Sequence, residues 1–93
     1  MKTQRQQIIE LLKSNELCAR EISASLGIEE KDVYVHLTHI ERSVAARGKK
    51  IRIRASRCRK CDYIFKERRR FTRPGRCPRC KGSYIEEPAF KIL

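Results

Sequence analysis

The sequence predicts a small α+β fold: three helices, then a β-hairpin whose two strands are separated by a metal-binding insertion. Three observations predict it. Apolar residues recur at helical spacing up to about residue 47. They alternate singly from Ile51 to Ala55 and again from Phe90 to Ile92, and two Cys-x-x-Cys pairs lie between those alternating stretches. A chain of 93 residues leaves little core for either half. A metal staple is therefore physically useful, because binding energy at such a site becomes folding energy.

The first helix opens at Thr3, with Gln6 three residues on as a capping box, and carries Ile8, Ile9, Leu11 and Leu12 on one arc before Ser14 and Asn15 close it. A second, shorter helix starts after Cys18, with Glu21 in the reciprocal capping position; a thiol is a poor acceptor, so this cap is weak. Ile22 and Leu26 form its inner stripe, and Gly27-Ile28 makes the turn. A third helix then runs from Glu29 or Glu30 to Arg47, with Val33, Leu37, Ile40 and Val44 inward and Gly48 as its stop. His36 and His39 read as surface or boundary residues. Cys18, the fifth cysteine, reads as a small, partly buried side chain.

Ile22, Leu26-Gly27-Ile28, Val33 and Leu37 stand at the apolar spacing of a helix-turn-helix. Opposite the buried stripe of the third helix lie Lys31, Val35, Thr38 and Arg42, flanked by Tyr34. These types suit base-edge, methyl and phosphate contacts. Where such motifs commonly open on Ser or Thr, this helix opens on Glu29, Glu30 and Asp32, which suit the helix dipole but not a phosphate.

From Ile51 to Ser56 one strand face is apolar and the other carries Arg52 and Arg54; Phe90 and Ile92 form the partner strand. The resulting reading is a winged helix-turn-helix of residues 1–56 plus 88–93, with residues 57–87 inserted as a zinc ribbon in the wing hairpin. Within the insertion, Cys58, Cys61, Cys77 and Cys80 have the spacing of a four-thiolate site for one structural Zn2+, in which paired turns supply a tetrahedron. Two disulfides would be the alternative, but nothing in the sequence points to an oxidising compartment. Pro78 presets the second turn, and Gly82 and Asp62 are the residues expected to accept left-handed backbone there. Tyr63, Phe65, Phe71, Tyr84 and Ile85 are available to cover the metal.

The net charge of +12 is unevenly placed. Residues 1–46 carry −1 and residues 47–93 carry +13, which zinc on four thiolates would lower by about two. So basic a half attracts polyanions. Arg68, Arg69, Arg70 and Arg73 lie between the cysteine pairs, and arginine suits multidentate phosphate contact; aromatic residues among them suit stacking on unpaired bases. No apolar run has membrane-spanning length, and the polar opening is not that of a secretory signal, so a cytoplasmic protein without membrane contacts is expected. No catalytic constellation stands out, and a four-cysteine zinc has no open position, so no enzyme activity is expected.

Taken together, the Gly27 turn, the cysteine pairs and the flanking strands resemble a small group of archaeal proteins proposed as transcriptional regulators, in which a winged helix-turn-helix is fused to a rubredoxin-like zinc ribbon. The resemblance implies zinc and a DNA-related role, with double-stranded DNA the expected partner. Two alternatives stay open. One is an adaptor that docks a protein partner through its acidic helical half and binds RNA or duplex non-specifically; the acidic start of the third helix favours it, and a homodimer is left open for either reading. The other is an electron carrier with iron on the four thiolates, suggested by Cys61-Asp62-Tyr63 and Cys77-Pro78-Arg79-Cys80.

Overall fold

Local signals set the helices. The computed structural model describes residues 2–93 and contains α1 (Gln4–Ser14), β1 (Leu17–Cys18), α2 (Ala19–Leu26), α3 (Glu30–Ala45), β2 (Ile51–Arg54) and β3 (Ala89–Ile92). At the start of α1, Thr3 Oγ1 accepts the Gln6 N–H at 3.2 Å while Gln6 Oε1 accepts the Thr3 N–H at 2.9 Å, the reciprocal pair expected of a capping box. For α2, the Glu21 carboxylate accepts the Cys18 N–H at 2.9 Å. Gly27 ends that helix with φ +67°, a left-handed angle that a residue with a Cβ resists, and its N–H reaches the Ser23 carbonyl at 2.9 Å. The Ser23 hydroxyl donates to the Ile28 carbonyl, so the turn into α3 is tied from both sides.

The third helix ends two residues before the expected Arg47. Arg47 and Gly48 donate to the carbonyls of Val44 and Ala45, tightening the last turn, and Gly48 then takes φ +74°.

One sheet of three antiparallel strands closes the core, in the order β1-β3-β2. The two-residue β1 was not expected, since so short a strand has no period to read. Its pairing makes β3 the central strand, with Leu17 and Ile53 both opposite Phe90. Phe90 is fully buried with Ile8 and Leu12 of α1, Ile22 of α2, and Val33, Leu37 and Ile40 of α3. Each such aliphatic side chain, once buried, stabilises the fold by about 1.5–3 kcal/mol.

Between β2 and β3 the chain forms the ribbon, which has its own small core of Cys58, Cys77 and Ile85 with Tyr63 and Phe65 against it. Bridges Arg57↔Ile64 and Cys58↔Ile85 draw its two ends together, and the Arg57 guanidinium meets the Glu86 carboxylate at 3.0 Å. Phe71 leaves the ribbon altogether. Expected beside the metal, it packs edge-to-face on Phe90 at 5.6 Å and belongs to the helical core. Among the described residues, no helix is long and apolar enough to cross a membrane.

Candidate metal centre and charged surfaces

Two matching turns build the metal centre. In the first, Cys58 N–H donates to the Tyr63 carbonyl at 2.8 Å and Asp62 N–H to the Cys58 carbonyl at 2.9 Å. In the second, Cys77 N–H donates to the Gly82 carbonyl at 2.8 Å and Lys81 N–H to the Cys77 carbonyl at 2.9 Å. The residue after each second cysteine is left-handed: Asp62 at φ 63° and Lys81 at φ 64°. Asp62 was expected there. Gly82 was placed one residue too late, because Lys81 bears the strained angle. Gly82 serves by close approach instead: its N–H points at Cys80 Sγ at 3.4 Å, and a Cβ on it would sit 3.4 Å from that sulfur.

The four sulfurs lie within 4.8 Å of one another, with Cys58–Cys80 and Cys61–Cys77 each at 3.6 Å. A tetrahedron with zinc–sulfur bonds of about 2.3 Å places its sulfurs about 3.8 Å apart, so the donor set fits. All five cysteines are free, and these separations are far beyond a disulfide bond. Cys58 and Cys77 are fully buried.

Burial works against the thiolate at each buried sulfur. At Cys58 it is outweighed by the N–H groups of Cys61 and Lys60, which hold the thiol below its ordinary range. At Cys77 the N–H groups of Cys80 and Arg79 outweigh it and bring the thiol to about 7. Cys61, next to its neighbouring sulfurs, is pushed up by burial to about 12. A site that already favours some thiolates and resists others takes a divalent cation by releasing protons. This is a zinc-ribbon site for one structural Zn2+, its four positions filled by protein.

The other residues singled out in the sequence fall into separate groups. Lys31, Val35, Thr38 and Arg42 are all exposed on one strip of α3, opposite buried Val33, Leu37, Ile40 and Val44; Val35 is 54% exposed. Lys31 meets the Glu29 carboxylate at 3.2 Å, and Thr38 Oγ1 donates back to the Tyr34 carbonyl at 3.1 Å. Tyr34 is half-buried and turned off that strip, lining a cleft with Arg73 of the ribbon; burial raises its hydroxyl pKa. Arg52 and Arg54 of β2 both face Glu16, at 3.6 and 3.5 Å. Arg68 is half-buried and donates to the Thr72 carbonyl and hydroxyl at 3.3 and 3.1 Å, which shapes the loop, whereas Arg69 and Arg70 stay exposed.

Sequence reasoning missed two things. Tyr84, expected to cover the metal, is 66% exposed with the Arg59 guanidinium 5.6 Å from its ring centre. Arg20 and Glu16 also went unremarked, because only the folded chain brings them to Glu87 and to β2.

Comparison with known proteins agrees with this geometry. The family model described as PF0610-like, N-terminal, matches residues 3–52, and the PF0610 rubredoxin-like zinc beta-ribbon domain matches residues 55–93. The solution NMR structure of protein PF0610 from Pyrococcus furiosus is similar over 97% of this chain and 88% of that one, at 32% identity and a TM-score of 0.81. No curated protein matches the chain.

Proposed function

Since the chain belongs to the PF0610-like family, joining its N-terminal module to its zinc ribbon, we propose that it is a DNA-binding transcriptional regulator. In this reading α2, the Gly27 turn and α3 are a helix-turn-helix, and β2 with β3 is the wing hairpin that carries the ribbon. The observation that carries it is the exposed strip Lys31, Val35, Thr38 and Arg42, backed by a fully buried stripe that holds α3 rigid. An exposed valine beside hydroxyl and guanidinium groups suits a thymine methyl, a base edge and a phosphate. The +13 of residues 47–93, lowered by about two with zinc on the thiolates, supplies sequence-independent attraction through the ribbon and the strands that flank it.

A second reading is favoured by one observation, the exposed carboxylates of Glu29, Glu30 and Asp32 at the start of α3. There the helical half docks a basic protein partner and the ribbon holds nucleic acid non-specifically.

The test is a competition titration of the zinc-loaded protein. A labelled duplex from around its own gene competes with scrambled duplex of the same length at two salt concentrations. A preference of about a thousandfold establishes sequence-specific binding. Equal, steeply salt-dependent binding to both duplexes refutes it and supports the second reading.

A further inference from the structure

Between α2, α3 and the ribbon lie two adjoining clefts, one of about 320 Å³ and one of about 490 Å³, which share Arg20, Arg73 and Glu87. The smaller adds Arg59 and Tyr84; the larger adds Tyr34 and the carboxylate of Glu30. Three guanidinium groups thus meet two tyrosines and two carboxylates, Glu87 in both clefts and Glu30 in the larger alone. Glu87 answers only Arg20, at 3.7 Å, and Arg20 is itself largely exposed. Arg73 and Arg59 make no ion pair among the described residues.

Tyr84 is the unusual member. Tyr63 and Phe65 pack on the metal turns, in edge contact with each other at 5.0 Å. Tyr84 instead leaves two-thirds of its surface open while Arg59 lies over its ring. The Arg59 N–H donates to the Tyr84 carbonyl at 2.8 Å, so backbone pairing beside the first metal turn fixes the main chain from which the ring projects. An open aromatic ring held on a rigid frame, with cations around it, is the arrangement that stacks one nucleobase and holds its phosphate.

We propose that this cleft binds an unpaired nucleotide of a single strand, its base stacked on Tyr84 and its phosphate held by Arg73 and Arg59. The inference rests on the nucleic-acid reading above and names a second ligand class for the same protein. An acidic peptide is the poorer fit, since a carboxylate needs the guanidinium groups but has no use for the open ring.

The experiment measures binding of zinc-loaded protein to a fluorescent 15-mer of thymidine, to a duplex of the same length, and to decaglutamate. Tyr84→Ala is expected to weaken the single strand about tenfold, the range found for one lost base–aromatic stack, while leaving the duplex within about twofold. Tyr84→Phe, which keeps the ring, should restore single-strand binding. Arg73→Ala should weaken the single strand and flatten its salt dependence. Zinc stoichiometry, read on every variant, reports whether the ribbon is still folded. Equal losses on single strand and duplex, or failure of Tyr84→Phe to restore binding, would overturn the proposal. So would a loss on decaglutamate as large as that on thymidine. Absence of duplex preference with single-strand binding intact would instead sink the regulator reading and leave this one standing.

Discussion

Replacing Cys61 with Ser should unfold the ribbon and weaken, without destroying, the helical half. Zinc binding in peptide-sized sites releases about 10–16 kcal/mol at neutral pH, far more than the lone buried aliphatic of this ribbon, Ile85, can supply. Once the ribbon opens, β2 and β3 are joined by a flexible loop of 34 residues, 55 to 88. Closing such a loop costs about 3 kcal/mol. The Phe71–Phe90 edge contact goes with it, adding about 1 kcal/mol. The helical half should therefore lose about 4 kcal/mol, part of the 5–15 kcal/mol of a typical domain, and its melting point should fall by about 20 °C or more. Metal analysis, thermal unfolding and amide hydrogen exchange check this together. The expected pattern is lost zinc, fast exchange at Ile85, and slow exchange retained at Leu37 and Ile40. Full zinc stoichiometry in the variant would refute the four-cysteine centre, and simultaneous loss of protection at Ile85, Leu37 and Ile40 would refute the separation of the halves.

Glu16→Gln should free Arg52 and Arg54, raising duplex affinity about threefold to tenfold and steepening the salt dependence by up to about two counterions, as read by titration at several salt concentrations. Arg69→Ala with Arg70→Ala should weaken polyanion binding by a similar factor and flatten that slope, while Arg68→Ala should chiefly loosen the loop that it ties to Thr72, seen as faster exchange there. Burial and the neighbouring Arg5 guanidinium hold His36 below its ordinary value of 6.5; its ring meets Arg5 at 3.1 Å and Gln4 at 3.2 Å. The unfolded chain therefore binds that proton more readily. Stability should be full above about pH 6.5 and decline as the pH falls below it. Arg5→Ala should raise the His36 titration midpoint measured by NMR, and an unchanged midpoint would count against the contact.

What could be read without coordinates was whatever the chain repeats locally. The capping box at Thr3, the left-handed Gly27, the stripe of α3 and the spacing of the cysteines each depend on residues a few positions apart, so their physics is written in short windows. Long-range placement is what escaped. Nothing around Phe71 says that it leaves the metal for Phe90, 19 residues on, because both destinations are apolar. Leu17 and Cys18 become a strand only because β3 offers an edge. The left-handed angle fell on Lys81 rather than Gly82 because Cys77, Lys81 and Gly82 must repeat the backbone bonds of Cys58, Asp62 and Tyr63. Turn geometry there outranks residue preference.

The acidic opening of α3 constrains how a duplex could meet it. Helix-turn-helix readers ordinarily present the N-terminal residues of this helix to the bases, where the helix dipole also favours phosphate. Here Glu29, Glu30 and Asp32 oppose that field, and the only cation among them, Lys31, is engaged by Glu29 at 3.2 Å. Beyond those three carboxylates the strip runs from Val35 to Arg42, with exposed Glu41 on its flank. The seven steps from Val35 to Arg42 rise about 10 Å, close to the width of about 12 Å that a major groove offers. A duplex would thus sit toward the C-terminal half of α3, with the carboxylates held away from its backbone. Tyr34, one position before Val35, lies about 100° round the helix from it, at the edge of the strip, and lines the arginine cleft beside the ribbon. One helix would then divide paired from unpaired nucleic acid between two of its faces. Thr38→Ala should accordingly weaken binding of the duplex, and Tyr84→Ala binding of the single strand.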